Sequence, residues 1–99
     1  MDLQQCRARI DEIDEQIVRL FCERMKVVED VAAYKKANNL PVLQTSREAQ
    51  VLDRVAALAG PELADAARAL FVSIMGISKD RQHSQLQETY ITVSWWPWR

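Results

Sequence analysis

LQQCRARIDEIDEQIVRLFCERMKVVEDVAAYKKAN, residues 3–38, carries apolar side chains at alternating steps of three and four: Leu3, Cys6, Ile10, Ile13, Ile17 and Leu20. A stripe of that period is one face of an α-helix packed against another helix. The next seam position holds Arg24, after which Val27, Val31 and Tyr34 resume the pattern. A guanidinium on a packed face costs several kcal/mol unless an anion and hydrogen bonds meet it. Lys35 lies eleven residues beyond Arg24, almost three turns, and so points within about 20° of it. Two cations on one stripe, with Val28 and Val31 between them, predict a lined pocket for an anion.

No Gly or Pro occurs before Pro41, and Asp11, Glu12, Asp14, Glu15, Arg19 and Lys26 fill much of the remaining surface of the same stretch. The pattern predicts one unbroken helix from about Asp2 to Asn38, roughly 55 Å long. A compact chain of this size has a radius of gyration near 13 Å, so the helix overhangs whatever the other residues build. Its apolar stripe calls for a partner, most simply a second copy, and a homodimer is expected. The competing arrangement is a helix broken near Arg24 and folded back into a monomeric bundle.

Two shorter helices follow. Asn38-Asn39-Leu40-Pro41 stops the first, because Asn tolerates the left-handed cap and Pro cannot continue. Thr45-Ser46-Arg47-Glu48 has the spacing of a capping box, with Thr45 as N-cap and Glu48 three residues inside. A second helix then reaches about Ala59 with Val51, Leu52, Val55 and Leu58 as its apolar face. After Gly60-Pro61 a third runs from about Glu62 to Gln82 or beyond, burying Leu63, Ala67, Leu70, Phe71, Ile74, Met75 and Ile77. The fold class is all-α, three helices of which one is very long, in an intertwined homodimeric bundle. Residues 1–83 form the helical domain and 84–99 a C-terminal tail. In that tail Thr89–Ser94 favours extended structure, and Trp95, Trp96 and Trp98 make a sticky cluster that fits docking on the body, docking on a partner, or a linker.

Composition narrows the function. With 99 residues and a net charge of −1, the chain is one small domain and not a general nucleic-acid or membrane-surface binder. It has no apolar run long enough to span a membrane and none of the marks of a signal peptide at Met1–Gln5, so the cytoplasm is the expected compartment. Cys6 and Cys22 sit some 24 Å apart along one helix, beyond disulfide reach. One His and no paired-ligand spacing speak against a metal site.

Arg7, Arg24, Lys35, Arg47, Glu48, Ser78 and Gln82, set on a long helix and two shorter ones, resemble the site of the all-α chorismate mutases. The resemblance covers about Leu3 to Gln82, and extends to Arg9-Ile10-Asp11-Glu12-Ile13-Asp14 and Pro41-Val42-Leu43. It is also compatible with the mutase part of a bifunctional chorismate mutase/prephenate dehydratase. The resemblance implies an intertwined dimer with two equivalent pockets, each completed by Arg7 of the other subunit. It implies chorismate as substrate and no cofactor or metal. Arg7 of the partner and Arg24 clamp carboxylates, Lys35 and Gln82 donate to the ether oxygen, and Glu48 accepts from the ring hydroxyl. Arg47 and Ser78 anchor the ring side. Family members often carry Asp where this chain has Gln44.

Each residue also has a plainer reading. Arg24 and Lys35 can be snorkelling charges, Glu48 a capping residue, Arg47 a solvated helix start, and Ser78 with Gln82 a polar surface pair four residues apart. Two other functions compete. One is isochorismate pyruvate lyase on the same fold, and the other is a non-catalytic helical dimerisation module in which Arg24 makes an internal ion pair.

Overall fold

A computed structural model describes residues 1–41 and 44–86. Among these residues the chain forms three helices and no strand: α1 Leu3–Ala37, α2 Thr45–Ala59 and α3 Ala64–Leu86. The tail from residue 87, including Thr89–Ser94 and the three tryptophans, lies outside the described residues, as do Val42 and Leu43.

α1 is continuous through Arg24, so the helix does not fold back on itself there. Its start is fastened by a capping box that the sequence reading did not anticipate. The Asp2 carboxylate accepts from the Gln5 backbone N–H at 2.8 Å, and Gln5 Oε1 accepts from the Asp2 N–H at 2.9 Å. Its end follows the expected left-handed cap. Asn39 has φ 56°, the Leu40 N–H donates to the Lys35 carbonyl at 2.8 Å, and the Asn39 N–H donates to that of Lys36. This is a Schellman arrangement built on Asn in place of Gly. The chain turns sharply at this cap, just after Lys35.

α3 packs against both other helices, whereas α1 and α2 do not pack on each other. The result is a trough with α1 and α2 as walls and α3 as floor. The molecule is 52 Å along its longest axis, the length of a 35-residue helix at about 1.5 Å per residue. Its radius of gyration is 16.5 Å, well above the value of about 13 Å for a compact chain of this size. No helix among the described residues is long and apolar enough to cross a membrane.

Several expectations change. In the second half of α1 the residues buried within the chain are Met25, Val28, Ala32 and Lys35, a face rotated about one residue step, 100°, from Val27, Val31 and Tyr34. The latter three stay exposed, as do Ile10, Ile17 and Leu20 at 53%, 58% and 62%. Past Arg24, α1 therefore meets α3 with a face beside the predicted stripe, while the stripe's large apolar residues stay exposed within the chain on both sides of Arg24. On α2, Val55 and Ala56 are buried while Leu58 is exposed. On α3, Met75 is buried but Leu70 is not, and Leu63 falls in the turn before α3 and is exposed. The capping box at Thr45 does not form: Gln44 is the N-cap, and no side chain caps the helix. α3 begins at Ala64, after Gly60 (φ 85°) and a turn through Pro61 and Leu63.

The left-handed Asn39 gives a direct test of this corner. Asn39→Val places a β-branched residue where φ is positive and should lower stability by about 1–2 kcal/mol, whereas Asn39→Gly should be neutral or stabilising. Urea denaturation of the two variants beside the parent chain measures the difference.

Candidate active site

The trough holds a cleft of about 470 Å³, within the usual range for a small-molecule site. α1 contributes Arg24, Val27, Val28, Val31 and Lys35; α2 contributes Gln44, Arg47, Glu48 and Val51; α3 contributes Met75, Ser78, Lys79 and Gln82. Each set recurs at steps of three and four, so each helix offers one face to the same space.

Two hydrogen-bonded rungs join α1 to the floor. Arg24 Nη1 donates to Ser78 Oγ at 2.8 Å, and Ser78 Oγ donates to the Ile74 carbonyl one turn back at 2.9 Å. A hydroxyl has one proton to give. With that proton on the Ile74 carbonyl, Ser78 serves Arg24 as an acceptor. The Arg24 guanidinium also lies 6.0 Å from the centroid of the Phe71 ring, within cation–π range. The second rung is Lys35 Nζ donating to Gln82 Oε1 at 2.9 Å, between two buried side chains. That contact orients the amide through its oxygen, so its NH₂ is the end with donors to offer.

Electrostatically the cleft is cationic: Arg24, Lys35, Arg47 and Lys79 face one carboxylate, Glu48. This net of about +3 is local, on a chain whose overall charge is −1. Burial pushes the Arg24 guanidinium below its ordinary value, and the neighbouring Arg47 charge adds to the effect. Burial likewise lowers Lys35, with the Glu48 charge pulling the other way. Both shifts have the sign of cations placed where water solvates them poorly.

Six of the seven residues singled out from the sequence line this one cleft: Arg24, Lys35, Arg47, Glu48, Ser78 and Gln82. Arg7 does not. It sits exposed on the open half of α1, seventeen residues from Arg24, or about 25 Å along the helix. Glu48, freed of any capping duty, faces the cleft and pairs with Lys79, Nζ to Oε2 3.3 Å. Val51 and Met75, expected only as packing residues, also line the cleft, and Lys79 lines it without having been singled out. Lys79 was legible in principle, since it follows Ser78 and stands three residues before Gln82 on the same face. Among the described residues no cluster of His, Cys, Asp or Glu is placed to hold a metal ion.

The described residues thus form an all-α trough with one cationic cleft of a size that suits a small molecule. Residues 6–83 match the family described as chorismate mutase type II, and the chain belongs to that family. It is 38% identical over 53 residues to a chorismate mutase of Methanocaldococcus jannaschii, covering 54% of each chain. It is 35% identical over 54 residues to a bifunctional chorismate mutase/prephenate dehydratase of Aquifex aeolicus, covering 54% of this chain and 15% of that one. The chain thus spans about half the length of the first relative and a small part of the second. No solved structure gives a significant match.

The lowered Lys35 makes a prediction with a defined sign. The folded state releases the Lys35 proton at lower pH than the unfolded chain does, so between those two values the unfolded chain binds more protons. Stability therefore rises with pH across that window, and the full penalty applies below it. The unfolding free energy of the parent should gain on that of Lys35→Met as pH is raised from neutral toward the ordinary lysine range. A difference that stays flat with pH would contradict the assigned burial.

Proposed function

We propose that the chain is a chorismate mutase, converting chorismate to prephenate by a pericyclic [3,3] rearrangement in phenylalanine and tyrosine biosynthesis. It would act as a homodimer in the cytoplasm, a reducing setting that suits its free Cys6 and Cys22. The observation that carries this reading is the single cleft in which Arg24, Lys35, Arg47, Glu48, Ser78 and Gln82 converge.

The chemistry follows from what the reaction needs. Chorismate is a dianion, and its rearrangement needs no proton transfer, nucleophile or metal. The protein must fold the enolpyruvyl arm over the ring, which is a positioning task. It must also stabilise negative charge that grows on the ether oxygen as the C–O bond breaks ahead of C–C closure, which is preorganised electrostatics. In this proposal Arg24 clamps a carboxylate with its planar paired donors, held in place by Ser78 and Phe71. Lys35 and the Gln82 NH₂ donate to the ether oxygen. Glu48 accepts from the ring hydroxyl, and Arg47 steadies the ring side. Val28, Val31, Val51 and Met75 supply apolar walls that keep the donors' field unscreened.

The second copy has a specific task here. Leu3, Ile10, Ile13, Ile17 and Leu20 leave an apolar stripe exposed on the open half of α1, and a partner helix crossing it buries that surface. Arg7 on the same half then reaches the other subunit's cleft, where it supplies the second carboxylate clamp.

Purified protein should deplete chorismate and form prephenate, with a solution mass of two chains. Arg24→Ala and Lys35→Ala should each lose about 3–4 kcal/mol of transition-state stabilisation, a factor of several hundred in kcat/KM, while keeping the dimer mass. Pyruvate release from isochorismate in place of prephenate formation would establish the lyase, and no turnover of either would leave a dimerisation module.

Gln82 supports a test of its own. Gln82→Glu can donate to the ether oxygen only when protonated, and the neighbouring Lys35 favours the ionised carboxylate. The variant should therefore be nearly inactive at neutral pH and gain activity as pH falls. A loss that does not vary with pH would remove Gln82 from the donor role.

A further inference from the structure

We propose that Lys79 is a positioning residue of this cleft: it holds the Glu48 carboxylate against the α2–α3 side and offsets its charge, so that a dicarboxylate ligand and a protein carboxylate can share one small cavity. The inference rests on the functional reading above and adds to it a residue for which that reading has no use.

Lys79 shares its face of α3 with Ser78 and Gln82, and all three line the cleft. Its Nζ lies 3.3 Å from Glu48 Oε2, bridging α3 to the first turn of α2, with the two side chains only 35% and 28% exposed. Lys35 lines the same cleft, and the Glu48 charge opposes the effect of burial on it. The carboxylate therefore acts on an ammonium of α1 and pairs with an ammonium of α3. A part-exposed pair with this geometry adds little to folding stability, so a purely structural use explains it poorly. Charge balance explains it better. An anion entering the cleft meets Glu48 as a like charge, and like charges in a confined site weaken binding unless they are offset. With Lys79 present the lining carries four cations against one carboxylate. Without it the balance falls to three against one, and Glu48 loses the contact that fixes its oxygen in place to accept a ligand hydroxyl. Lys79 thus acts through Glu48 on ligands that carry both carboxylates and a hydroxyl.

Steady-state kinetics with chorismate on the full chain test this, using Lys79→Gln, Lys79→Arg, Glu48→Gln and the double variant Lys79→Gln/Glu48→Gln. Lys79→Gln should raise KM roughly tenfold with a much smaller change in kcat, since the offset acts on ground state and transition state alike. Lys79→Arg should restore KM. In the Glu48→Gln background the cost of Lys79→Gln should shrink to less than half, the signature of residues that act as a pair. A KM for Lys79→Gln equal to the parent's overturns the proposal. So does a cost that persists undiminished in the Glu48→Gln background, which would make Lys79 a direct ligand contact. A parent chain that turns over no chorismate removes the functional reading and this inference together, whereas an active parent with an unaffected Lys79→Gln removes this inference alone.

Discussion

Two cations on α1 that are taken partly out of water, Arg24 and Lys35, constrain the rest of the molecule. Their hydrogen-bonded rungs run to a hydroxyl on Ser78 and an amide oxygen on Gln82. Each neutral acceptor meets a donor of its cation. A cation held this way is a standing cost to folding, visible in the downward shift of both groups. The cost is tolerable because α3 places its acceptors four residues apart on one face and keeps both rungs short. The same placement leaves positive potential directed into the cleft, where a small anion can use it. In the proposed function, stability is given up for preorganisation toward the substrate.

α1 serves this arrangement in two ways along one rod. Past Arg24, its Met25, Val28, Ala32 and Lys35 face α3 and belong to the chain's own core. Before Arg24 the stripe of Leu3, Ile10, Ile13, Ile17 and Leu20 is left exposed within the chain. The cleft sits beside the point where one role gives way to the other, and Val27 and Val31 line it while remaining exposed. In the proposed dimer, a site at such a border draws on both a fixed floor and a second subunit. The proposed role of Arg7 follows from this layout. A residue some 25 Å from its own chain's cleft is useless there, yet well placed on a rod that the second copy crosses in the proposed dimer.

Glu48 shows how a local pattern can mislead. Thr45-Ser46-Arg47-Glu48 has the right residues for reciprocal capping, but the helix starts one position earlier in role, with Gln44 as an N-cap that makes no side-chain bond. Tertiary placement wins because the Glu48 carboxylate pairs with Lys79 on the adjoining α3 and feels the Lys35 charge, a stronger electrostatic setting than one exposed backbone N–H. Lys79 was passed over for the opposite reason. In a one-dimensional view it is one more charge in Ser78-Lys79-Asp80-Arg81-Gln82, and only the packing of α3 on α2 separates it from Arg81, which pairs with Glu29 outside the cleft.

From the sequence alone came the all-α class, the unbroken first helix, its Asn39 cap and the proximity of Arg24 to Lys35. All of these depend on periodicity, on helix breakers, or on residues within three turns of one another, which local geometry settles. Tertiary structure alone decided which face of α1 meets α3, that α1 and α2 stand apart as walls, and that residues from three helices close on one cleft. These depend on contacts between residues up to 54 positions apart, and such contacts are set by how whole helix faces pack, which no local pattern encodes.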